Sequence, residues 1–139
     1  MAIRYYVDAD TLGLAHVLVR LRWDVTYPGD PGGTVKRHTR PASPIKTTDV
    51  LDEIWIPEVA QRGWAILTRD RRIEQRPAEV AAVRAFGAKL FALTSTEMLD
   101  VWHQLEIVMC AWREIERAAE LPGPFIYRVT RSGLSKVQL

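Results

Sequence analysis

Hydrophobic and polar positions along the chain switch repeatedly between a strand-like and a helix-like period. Ile3 to Val7 is a short apolar run that ends in acid, Asp8-Ala9-Asp10. Leu12, Leu14, Ala15, Val17, Leu18 and Leu21 then recur at helical spacing, with Asp10 or Thr11 as the N-cap. Trp23 to Tyr27 alternates and is rich in β-formers, so it predicts a second strand. From Pro28 to Thr48 the pattern collapses among prolines, glycines and basic residues, which predicts a mobile loop. Beyond it the spacing predicts a turn over 52–56 and a helix from Pro57 to Gln61 or Arg62, stopped by Gly63. A strand over Trp64–Thr68, a helix over Pro77–Phe86 and a strand over Lys89–Leu93 follow. Thr94-Ser95-Thr96-Glu97 supplies caps for a long helix over Glu97–Ala119, with Glu97 and Asp100 as helix-start acids. Phe125–Val129 predicts a last strand, and 131–139 a polar tail.

Strand and helix alternating in this way imply an α/β fold, a three-layer α/β/α sandwich around a mostly parallel central sheet. The 139 residues are expected to form one domain spanning 1–139. The apolar residues of the long helix cover more than half its circumference: Leu99, Val101, Trp102, Leu105, Val108, Met109, Trp112 and Ile115. Such a helix is either deeply packed or carries a second apolar face for a partner or a second copy of the chain.

Composition narrows the class. No apolar run approaches the ~20 residues that cross a bilayer. The start of the sequence lacks the basic-then-apolar pattern of a secretory signal. The single cysteine, Cys110, can form no internal disulfide, so a cytoplasmic location is expected. The net charge is only +2, but the basic residues are unevenly spread. Arg62, Arg69, Arg71, Arg72 and Arg76 form one group; Lys36, Arg37, His38, Arg40 and Lys46 form another. Arginine forks suit phosphate oxygens, and a solvated, salt-bridged surface would carry the same residues.

The acids change the picture most. Asp8 follows the first strand, Asp70 the third, and Asp52 with Glu53 begins the helical segment leading into that third strand. Strand C-termini and helix N-termini of a parallel sheet share one edge, where ligands gather. Carboxylates assembled there repel one another unless a cation neutralises them or protons are retained. Hard oxygen ligands select Mg²⁺ or Mn²⁺, and such an ion suits phosphodiester hydrolysis. Asp10 and Glu53 are further candidate ligands. A structural cluster of ion pairs around Asp70 is the competing explanation.

Three stretches carry a family resemblance: Tyr5-Tyr6-Val7-Asp8 before a helix; Asp52-Glu53 with Trp55-Ile56-Pro57-Glu58-Val59-Ala60; and Gly63-Trp64-Ala65-Ile66-Leu67-Thr68-Arg69-Asp70-Arg71-Arg72. The chain resembles PIN-like domain proteins, in particular the VapC-type toxin group related to the Mut7-C and DUF5615 PIN-like domains. The resemblance implies a Mg²⁺- or Mn²⁺-dependent endoribonuclease cleaving single-stranded RNA, the toxin of a type II toxin-antitoxin pair, with Asp8, Asp52 and Asp70 as the catalytic and metal-binding acids. It also implies a cognate antitoxin. Arg69, Arg71, Arg72, Lys36, Arg37 and Arg40 are the candidate RNA-binding residues. The fourth acid of larger PIN domains is not evident, and Thr94-Ser95-Thr96 stands in its place. That keeps open a catalytically weak or inactive PIN-like module that binds RNA or protein. A haloacid-dehalogenase-like phosphatase is the minor alternative: Asp8-Ala9-Asp10 fits it, but Leu12 stands where that motif needs Thr or Val.

Overall fold

The computed structural model describes residues 2–69, 75–93 and 100–139. Its centre is a six-stranded sheet of β1 (Tyr5–Val7), β2 (Val25–Thr26), β5 (Ala65–Thr68), β6 (Lys89–Leu93), β7 (Phe125–Thr130) and β8 (Gly133–Val137), in the order β2-β1-β5-β6-β7-β8. Five strands are parallel, and β8 returns antiparallel to β7. Helices α1 (Leu12–Leu21) and α4 (Val101–Ala119) pack on one face; α2 (Asp52–Gln61) and α3 (Pro77–Phe86) pack on the other. The fold is therefore the expected three-layer sandwich with a mostly parallel sheet.

The central strand β1 shows how the layers are built. Tyr5 and Val7 enter the α1/α4 core, and Tyr6 points the other way into the α2/α3 core. A strand covered on both faces needs a continuous apolar run, and all three residues are buried. The chain leaves β1 for β2 on one side and later returns to β5 on the other. The gap between the C-terminal ends of β1 and β5 is thus the topological switch point, where open α/β sheets hold their ligands.

Four expectations need correction. Within 28–48 the chain forms an antiparallel hairpin, β3 (Gly33–Val35) with β4 (His38–Arg40), in place of a structureless loop. The hairpin's order comes from a buried ion pair: the Arg40 guanidinium donates to Asp30 and to the Val25 carbonyl oxygen, and Asp30 also accepts from Thr26 Oγ1 at 3.0 Å and the Gly32 amide at 2.8 Å. Second, α2 runs unbroken through Pro57. Proline forfeits only the bond to the Glu53 carbonyl, and the buried Trp55, Ile56 and Val59 hold the helix to the sheet regardless. Third, the polar tail contains β8, whose Val137 is buried in the α2/α3 core while Ser135 and Lys136 face solvent. Fourth, β2 is confined to two residues. The long helix begins at Val101, capped by Asp100 accepting from the His103 amide at 2.9 Å. Its expected start at Glu97 lies outside the described residues.

Candidate active site

Asp8 stands one residue beyond β1, with its amide bonded to the Leu67 carbonyl at 2.9 Å. Because Val7 is in register with Leu67, Asp8 lies level with Thr68, the last residue of β5. Its side chain caps the following 3-10 turn, accepting from the Ala9 amide at 2.6 Å. The buried Thr68 hydroxyl sits between two acids, 3.3 Å from Asp8 Oδ2 and 2.6 Å from Asp10 Oδ2. Both Asp10 oxygens also accept from the Arg69 amide at 3.2 Å. Asp10 therefore ties the β1–α1 turn to the end of β5, and its carboxylate orientation is set by these bonds.

Asp52 is the first residue of α2. Its Oδ1 accepts the Trp55 indole N–H at 2.9 Å, and Trp55 stacks on Tyr6 with ring centroids 5.0 Å apart. Tyr6, Asp8, Asp10, Asp52 and Trp55 line one cleft of about 170 Å³, whose lining also includes Pro28, Ile45, Thr47 and Thr48.

The electrostatics of the cleft follow from this crowding. Burial, the neighbouring Asp10 and, more weakly, Asp52 push the Asp8 carboxyl up to about 7 from an ordinary 3.8, against the lowering effect of the Ala9 and Thr68 hydrogen bonds. Burial first, then Asp8 and Asp52, also raises the Tyr6 phenol far above its usual range, so it stays neutral. Among the described residues no lysine or arginine pairs with Asp8 or Asp52.

The expected site residues are thus only partly brought together. Asp8, Asp10 and Asp52 share the cleft. Glu53 is exposed and does not line it. Asp70, Arg71 and Arg72 lie outside the described residues. Arg69 reaches the site through its backbone amide. Arg40 is unavailable to a phosphate, being 6% exposed and committed to Asp30. Lys36 and Arg37 occupy the exposed hairpin tip, but the adjacent His38 packs against Trp23 with ring centroids 5.2 Å apart. Trp23 precedes β2, whereas the acids follow the strand ends. The tip therefore lies toward the opposite edge of the sheet. Sequence reasoning missed Thr68 and Trp55; the signal for Thr68 is a lone polar residue ending an apolar strand.

Among the described residues no three acidic, histidine or cysteine side chains form a closed set of metal ligands. The donor chemistry still fits a hard cation. Carboxylates that hold one of their number partly protonated, with no basic side chain against Asp8 or Asp52, are relieved by a divalent ion. Mg²⁺ in particular binds through one or two carboxylates and keeps several waters.

A switch-point cleft of strand-end and helix-start aspartates on this sheet defines a class. The model of the family described as "PIN like domain" matches residues 4–95, and the chain belongs to that family. A relative from Mycobacterium tuberculosis, named "Putative ribonuclease VapC45", is 33% identical over 88 residues, which is 63% of this chain and 63% of the relative. The chain thus spans under two thirds of that relative's length. No solved structure matches.

Proposed function

We propose that the protein is a divalent-metal-dependent ribonuclease that cuts single-stranded RNA in the cytoplasm, and that it acts as the toxin of a toxin-antitoxin pair. The observation that carries this reading is the convergence of Asp8, Asp10 and Asp52 on one switch-point cleft, with no cation of the described chain set against Asp8 or Asp52. Membership of the PIN-like family and the name of the Mycobacterium tuberculosis relative support it.

Asp8 and Asp52 would hold Mg²⁺ or Mn²⁺, with Asp70 as a third ligand following β5. When bound, such an ion lowers the pKa of its water and neutralises phosphate charge during in-line attack. Thr68 fixes the Asp8 and Asp10 carboxylates relative to each other. Asp10 holds the Arg69 backbone, and with it the start of the segment bearing Asp70. Arg69, Arg71 and Arg72 are the cations placed in sequence to hold an RNA backbone beside the acids.

A protein partner is supported by α4. Its inner face fills the core, while Trp102 and Met109 on its outer face are 73% and 68% exposed. With Leu105 and Trp112 they form a stripe at 102, 105, 109 and 112, the spacing that receives another helix. An antitoxin segment covering that stripe is the occupant we propose.

The test is cleavage of single-stranded RNA with Mn²⁺ by wild type, Asp8→Asn and Asp52→Asn. Each substitution should lower the rate at least a hundredfold, and EDTA should abolish it. Cleavage indifferent to both substitutions and to EDTA would overturn the proposal.

A further inference from the structure

Asp52 presents a local puzzle. At the first position of a helix an aspartate ordinarily serves the unpaired amides of the first turn, and Leu51 at the N-cap offers no side-chain acceptor of its own. Yet the Asp52 hydrogen bond is to the Trp55 indole, three residues on. Stacking alone does not require this, because an aromatic ring without an N–H could also lie on Tyr6.

We propose that Trp55 is a positioning residue for Asp52: its indole N–H holds Oδ1 and thereby leaves Oδ2 for the cleft and its cation. The ring can do so because it is itself fixed. Trp55 is 3% exposed and stacked on Tyr6 of β1, two residues before Asp8. The two acids are delivered by different elements, one by a strand and one by a helix. Through the Tyr6–Trp55 stack, the helix acid takes its position from the same strand that delivers Asp8. Outer-shell donors of this kind orient ligating carboxylates, and their loss costs ten- to a hundredfold in metal affinity. The inference rests on the proposed cation site.

The experiment is Mn²⁺ binding by titration calorimetry in the absence of RNA. Trp55→Phe should bind Mn²⁺ about tenfold more weakly than wild type. In an Asp52→Ala background the same change should have no further effect, because the carboxylate that the indole holds is gone. Replacement of Trp55 by 3-benzothienylalanine, which keeps the shape and lacks the N–H, should reproduce the loss in a fully packed protein. Wild-type affinity in either variant overturns the inference, as does an equal loss with and without Asp52. Absence of Mn²⁺ binding by the wild type overturns the inference and the cation site together, which separates the two failures.

Discussion

Asp8→Asn should make the cation-free protein more stable, and by an amount that depends on pH. Burial and two neighbouring acids push Asp8 up to about 7 in the folded protein, against 3.8 in the unfolded chain. The folded state therefore holds this proton more tightly than the unfolded state does. Its contribution is fully present below about pH 4, is lost as pH rises toward 7, and is constant above. Three units at about 1.4 kcal/mol each set an upper bound near 4 kcal/mol. Asp8 is only partly buried and water screens part of the repulsion, so about 2 kcal/mol is the working figure. For a chain of this size that is a Tm difference of roughly 6 °C. Asparagine keeps an oxygen for the Ala9 amide and carries no charge. Thermal unfolding in EDTA should show Asp8→Asn about 6 °C above wild type at pH 8 and level with it at pH 4. Saturating Mn²⁺ at pH 8 should raise the wild type and leave the variant where it was. Parallel Tm curves from pH 4 to 8, or a variant less stable than wild type at pH 8, would refute the electrostatic account of the cleft.

Arg40→Met should cost about 3–5 kcal/mol by urea unfolding, since it leaves Asp30 charged and buried without its partner; Asp30→Asn/Arg40→Met should recover most of that loss. At the hairpin tip, Lys36 and Arg37 have φ of 47° and 70°, a two-residue turn that favours Asn-Gly. Lys36→Asn/Arg37→Gly should therefore raise stability by about 1 kcal/mol while leaving the rate of single-strand RNA cleavage within twofold, and a large loss of cleavage would return the tip to the RNA path.

The parts of the fold legible in the sequence are those decided by burial on both sides of a sheet. Tyr5–Val7, Ala65–Thr68 and Lys89–Leu93 must be apolar because helices cover both faces, so each stands out as a run. The parts that were not legible are decided by partners far along the chain. The 28–48 segment has no apolar period because its order depends on one charge pair ten residues apart, and a sequence shows both residues without showing that they meet. Strand β8 reads as a tail because an edge strand buries little: of its five residues only Val137 is buried, with Leu134 half-buried against the α1/α4 core. Pro57 argued against a helix that tertiary packing nevertheless imposes.

The site follows the same division. Asp8 and Asp52 could be ranked from position alone, because a strand end and a helix start of a parallel sheet face one edge. What holds them could not. Thr68 matters only because the register sets it level with Asp8, and a one-residue slip between β1 and β5 would turn its hydroxyl away. Trp55 matters because Tyr6 lies beneath it, and that contact joins residues 49 positions apart. Asp10 shows the consequence. Read from the chain it is a further candidate ligand, two residues from Asp8 at the same strand end. In the fold its oxygens are turned to Thr68 and Arg69, and this leaves Asp8 as the acid whose charge the cleft must carry. A carboxylate left in that state destabilises the empty protein, so the geometry that raises its pKa is also what makes a cation stabilising when it binds.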